Sequence, residues 1–261
     1  MSLLHPVEPT GPELVASCRE LPKCARDHVY VFIIHGMDPL DFANLEGLCK
    51  YMHDLGFNNT YYGQLYHTWQ IEKEIRRIYH EDTEARFALI GFSFGANMVR
   101  SVTQHVNNEG IRIDLLVYLG GNTLDNIPAD RPDNTGQIVN ILASGCIWNG
   151  AWLDDAINEH ETDVWHFGSP THPRTLQILN EQLIIVASTV PVPAEPKKIP
   201  SADEPTPREV MPPAVSKNDA WDFLKPVSRL KELPADKNTD SPPPADTPEK
   251  KVPVKEKIAM R

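Results

Sequence analysis

The chain has 261 residues, 41% of them hydrophobic, with 24 prolines and a formal net charge of −11 at pH 7. That length accommodates one full domain and additional segments. The acidity excludes phosphate backbones and anionic lipid surfaces as natural partners, so no nucleic acid is expected to bind.

The composition is not uniform. Residues 191–261 hold 15 of the prolines, and Trp221 and Phe223 are their only aromatics. Such a segment cannot bury enough apolar surface to offset its ordering entropy, and it reads as a disordered tail. It carries 13 Lys and Arg against 12 Asp and Glu, which leaves 12 basic and 24 acidic groups in the remainder. The expected organisation is an N-terminal extension over 1–25, a domain over 26–189 and the Pro-rich tail over 190–261. Within the tail, Asp219–Leu224 is the one apolar island. It reads either as a docking segment for a protein partner or as a nonspecific remnant.

The N-terminus lacks a basic start followed by an apolar run, so no secretory signal is read there. No run of eighteen apolar residues occurs, so no membrane span is expected. Cys18, Cys24, Cys49 and Cys146 make no metal-ligand spacing. Reduced thiols in a cytoplasmic protein fit that pattern. With no phosphate-cradling loop of the Walker type either, no cofactor and no metal are expected.

In chain order, His28–Ile34 is a near-continuous apolar, β-branched run. It predicts a strand buried on both faces, as in a parallel sheet. After His35–Gly36, Asp41 or a neighbour caps a helix with Phe42, Leu45, Leu48, Met52 and Leu55 recurring at helical spacing, closed by Gly56. Thr60–Leu65 is a short strand, and Trp69, Ile71, Ile75, Ile78 and Tyr79 mark a second helix. Arg86–Ile90 is a third strand. Phe94, Met98, Val99, Val102 and Val106 form the stripe of a third helix. Ile113–Leu119 and Ile138–Leu142 are further strands, Asp163–Phe167 is a weaker one, and Pro173 starts the last helix. About six strands alternating with helices indicate an α/β fold with a mostly parallel sheet. Ligands on such sheets sit outside the carboxyl ends of the strands.

One loop in that position is Gly91–Phe92–Ser93–Phe94–Gly95, which follows a strand and opens a helix. That is the context of a G-x-S-x-G nucleophile elbow. Side chains at Gly91 and Gly95 would collide with the neighbouring strand and helix. The turn lifts the Ser93 hydroxyl clear of the sheet at a helix N-terminus, where the Phe94 N–H and the helix dipole favour negative charge.

Val31–Phe32–Ile33–Ile34–His35–Gly36 and Leu89–Ile90–Gly91–Phe92–Ser93–Phe94–Gly95–Ala96 resemble the α/β-hydrolase superfamily. The likeness spans about Arg26 to Ser188 in element order and is sequence-specific only at these two motifs. It implies a small serine esterase or lipase-like enzyme with Ser93 as nucleophile. It also implies a second oxyanion donor in the loop after His35–Gly36, at the Met37 N–H, and the chain order Ser, acid, His.

A serine hydroxyl needs an adjacent base. His172, in the loop between the last strand and the last helix, is the expected base. His166 is the runner-up, read as lying within the strand. The acid is expected at Asp154, then Asp155, both of which also read as ordinary loop-and-cap residues, with Asp125 after Gly120–Gly121 as the alternative. His35 either contacts substrate or shapes the turn. Trp148, near Trp152 and Trp165, lines an acyl pocket or belongs to the core. The 16 residues from Gly121 to Gly136 are about what a crossover needs, so no lid is expected. The expected reaction is hydrolysis of a small-molecule ester or thioester through an acyl-enzyme on Ser93. The rival expectation is a catalytically silent fold that binds a partner through its tail.

Overall fold

A computed structural model describes residues 5–7, 12–120, 131–144 and 151–192. Asp125, Cys146, Trp148 and the tail beyond residue 192 lie outside the described residues.

The fold is α/β. Six strands form one all-parallel sheet: β1 (Val29–Ile34), β2 (Thr60–Gly63), β3 (Arg86–Phe92), β4 (Ile113–Leu119), β5 (Thr135–Ser144) and β6 (Ile157–Trp165). Their spatial order is β2-β1-β3-β4-β5-β6. Helices α1 (Pro12–Glu20), α2 (Lys23–Asp27), α3 (Leu45–Asp54), α4 (Thr68–Glu81), α5 (Phe94–Asn107) and α6 (Pro173–Ser188) flank it.

The central strands are apolar on both faces because both faces are covered. Phe32 and Ile34 of β1 join Leu89 of β3 in a core with Ile71, Ile75 and Ile78 of α4 and Val99, Val102 and Val106 of α5. The alternate residues Val31 and Ile33 are equally buried. On α6, Leu176, Leu179 and Leu183 are fully buried, and the helix packs on β3 and β4.

Two features depart from the sequence reading. Residues 12–20 and 23–27, read as extension, form α1 and α2, with Cys18 wholly buried and α1 packed on α6. Cys18, Cys24 and Cys49 are free thiols. The last strand begins at Ile157 rather than Asp163 and ends at Trp165. β6 is one of the two edge strands, and only Glu161 on it is fully buried. An edge strand faces water and carries polar side chains, so its sequence lacks the apolar run that marks the inner strands. Among the described residues no helix is long and apolar enough to cross a membrane.

Connections from β1 lead outward to β2, whereas those from β3 lead through β4, β5 and β6 the other way. The order reverses between β1 and β3. The crevice beyond the carboxyl ends of these two strands is where open parallel sheets bind ligands.

Candidate active site

The elbow occupies that crevice. Ser93 lies between β3 and α5 with φ 55° and ψ −122°. A positive φ is strained for a residue with a Cβ, and such strain persists only where the surroundings enforce it. The surroundings here are tight. A Cβ on Gly91 would collide with the backbone of Gly95 and Ala96, and one on Gly95 would collide with the Ile34 and His35 carbonyls. The Ser93 N–H donates to the Leu119 carbonyl at 2.9 Å, tying the turn to β4. Ser93 is 8% exposed, and its side chain makes no capping hydrogen bond to α5.

The loop after β1 crosses directly against this turn. A Cβ on Gly36 would stand 2.8 Å from the Ser93 Cβ and 3.3 Å from the Phe94 nitrogen. Met37, one of the two expected oxyanion donors, follows Gly36 in this loop, and Phe94, the other, follows Ser93.

His35 is fully buried, with its ring centroid 5.7 Å from Tyr62 and 6.2 Å from Phe92. Its Nε2 lies 3.0 Å from Asp41 Oδ1. Asp41 also accepts from the Leu45 and Glu46 N–H groups at the start of α3. Of the two readings of His35, shaping the turn is the one its burial matches.

The loop after β6 brings a histidine to the elbow, and it is His166. β6 ends one residue earlier, so His166 opens the loop instead of lying in the strand. It is buried, and its ring packs at a tilt on Phe92, the neighbour of Ser93, with centroids 4.8 Å apart. A Cβ on Gly120, at the end of β4, would stand 2.9 Å from His166 Nδ1, so the glycine leaves room for the ring. Nδ1 is buried against the Gly120 backbone. Burial pushes the imidazole pKa down, against smaller upward effects of the Gly120 backbone and Asp38. The ring is therefore neutral near pH 7.

His172 is engaged elsewhere. It caps the N-terminus of α6, with Nδ1 2.9 Å from Glu161 Oε1 and Nε2 3.6 Å from Asp163 Oδ2. The Glu161 side chain is 1% exposed and also accepts from the Thr175 hydroxyl at 2.6 Å. Burial pushes the Glu161 pKa up, opposed by these donors. Both His172 nitrogens thus face carboxylates on β6.

The expected acids do not reach the elbow. Asp154 and Asp155 are exposed and immediately precede β6. All strands are parallel, so that position is the amino end of the sheet, opposite Ser93. Arg131, which precedes β5, donates to the Asp155 carbonyl at 2.8 Å and fixes the turn there. The chain has already crossed back when it reaches Asp154, which length alone did not reveal. Trp152, at the same end, and Trp165 are exposed rather than core.

Sequence reasoning missed Glu161 and ranked His166 second. The available signal was the switch from the polar alternation of 157–163 to Val164–Trp165–His166–Phe167, which marks the carboxyl end of the strand. Exposed Met37, Leu40, Phe42, Tyr66 and Trp69 lie in the segments after β1 and β2, at the same end as Ser93. Phe42 meets Phe167 at 6.2 Å. Comparison with protein-family models finds no match to this chain, and comparison with curated proteins finds none.

Proposed function

We propose that the chain is a serine hydrolase of the α/β-hydrolase type, cleaving an ester or thioester through an acyl-enzyme on Ser93. The observation that carries this reading is the backbone of Ser93: a non-glycine residue held at φ 55° between a central strand and a helix, at the switch point of a parallel sheet. A plain strand–helix turn has no need of that strain.

In the proposed reaction, the Ser93 hydroxyl attacks the acyl carbonyl and His166 takes its proton. The N–H groups of Phe94 and Met37 hold the oxyanion, and each such donor is worth about 2.7–4 kcal/mol in enzymes of this kind. The imidazolium then protonates the leaving group, and water repeats the sequence on the acyl-enzyme. His166 replaces His172 as base because it packs against the elbow in a neutral state, whereas His172 is paired with Glu161. The apolar side chains around the strand carboxyl ends favour a substrate with an apolar acyl group.

The test is labelling of the purified full chain with a fluorophosphonate probe. Native protein and His172→Ala are expected to label, and Ser93→Ala and His166→Ala are not. A folded native protein that does not label would refute the enzyme reading and favour a silent fold with the tail as its binding element. Labelling that His172→Ala abolishes and His166→Ala spares would reverse the assignment of the base.

A further inference from the structure

We infer that the loop after β1 binds a divalent cation through His35, Asp38 and Asp41. Each offers one ligand atom, and the three atoms lie within 4.8 Å of one another. The 3.0 Å separation of His35 Nε2 and Asp41 Oδ1 equals the spacing of two ligands at right angles about an ion, each about 2.1 Å from it.

Two buried atoms in this loop lack partners. Asp38 is 2% exposed; its Oδ2 accepts from the Ala43 N–H at 2.9 Å, but Oδ1 accepts nothing. His35 is fully buried, and its Nδ1 is likewise unpartnered. A buried carboxylate oxygen without a donor is costly and calls for a counter-charge.

The local charge points the same way. Among the described residues, no Lys or Arg forms an ion pair with Asp38 or Asp41, and the only partner of Asp41 that can carry positive charge is His35. Asp38 is buried and the Asp41 side chain is 25% exposed, and two such neighbouring carboxylates with no Lys or Arg partner favour a divalent ion. One imidazole and two carboxylates suit Mn²⁺ or Zn²⁺ better than Ca²⁺.

The site also resolves a conflict, on the hydrolase reading proposed above. Met37 lies between His35 and Asp38, in the loop that offers an oxyanion donor. Uncompensated carboxylates beside a developing oxyanion oppose it, and a bound cation removes that opposition while fixing the loop.

The test is calorimetric titration of the full chain, stripped with a chelator, with MnCl₂ and ZnCl₂. Ser93→Ala is titrated in parallel, so that binding is read independently of activity. The expected result is one ion per chain in both proteins, with affinity at least about tenfold weaker in Asp38→Asn and Asp41→Asn. Asparagine keeps an acceptor for the Ala43 and Leu45 N–H groups, and thermal unfolding of the metal-free variants reports whether they fold. If they do not fold, Mn²⁺ added to native protein must broaden the His35 imidazole signals before those of the other histidines. Absence of binding at millimolar metal, affinity unchanged in both variants, or broadening first at another histidine overturns the proposal. Failure of the hydrolase reading appears separately, as absent fluorophosphonate labelling.

Discussion

The strain at Ser93 can be measured by comparing two substitutions that both remove the nucleophile. Ser93→Ala keeps a Cβ at φ 55°, whereas Ser93→Gly releases it. At an unstrained buried position, the freedom gained by glycine in the unfolded chain and the lost methyl together cost roughly 1–1.5 kcal/mol relative to alanine. A non-glycine residue in a sparsely populated conformation costs about 1–3 kcal/mol. With strain near the middle of that range, Ser93→Gly is more stable than Ser93→Ala by about 0.5–1 kcal/mol. For a folded region of this size the difference is about 2 °C in Tm. Neither variant has the hydroxyl, so catalysis and lost side-chain hydrogen bonding drop out of the comparison. The assay is thermal unfolding followed by circular dichroism, with urea denaturation at 25 °C as a check. If Ser93→Gly melts 2 °C or more below Ser93→Ala, glycine is behaving as it does at an ordinary position. The turn then stores no strain, and the main support for a nucleophile elbow is lost.

Two more outcomes follow from the histidines. Fluorophosphonate labelling, and ester hydrolysis where a substrate is found, are expected to rise with pH through one ionisation with a midpoint below the ordinary imidazole value of about 6.5. The sign follows from burial, which lowers the His166 pKa, so the neutral base persists further into acid. The same shift contributes stability that is fully present above about pH 6.5 and is lost as pH falls through the folded-state pKa. A rate midpoint above 6.5 would refute His166 as the base. His172→Ala is expected to destabilise the fold by about 3–5 kcal/mol at neutral pH, because it leaves the buried Glu161 carboxylate without its imidazole. The Glu161 pKa is raised, so protonation as pH falls through its folded value neutralises that charge, and the cost of the substitution shrinks. Urea unfolding at neutral pH and near pH 5 checks both statements; a cost that grows on acidification would refute them.

The parts of the fold legible in the sequence are those where burial is two-sided. His28–Ile34, Arg86–Ile90 and Ile113–Leu119 each read as apolar runs, and β1, β3 and β4 lie where those runs are, because inner strands of a parallel sheet have no face to give to water. The elbow was legible for a steric reason. Gly91 and Gly95 are the positions at which a Cβ would strike backbone, so spacing and strand–turn–helix context together encode the turn.

The β6 edge of the sheet was not legible, and the ranking of the two histidines followed from that. On β6, Asn158, Glu159, His160, Thr162 and Asp163 are polar and not fully buried, so pattern alone found only the segment's end. Carrying the strand on to Phe167 placed His166 inside it and left His172 as the loop histidine. Glu161 is the inward side chain that a correct register exposes: its partner on β5 is Ala143, and a small residue opposite leaves room for the Glu161–His172–Thr175 bonds that close the edge against α6. Those bonds hold both ends of the segment from β6 to α6, and His166 sits between them against Phe92. The carboxylate-bonded His172 thus anchors the loop, and His166 packs on Phe92. The sequence ranks His172 first because it reads His166 as lying within the strand and His172 as lying in the loop that follows.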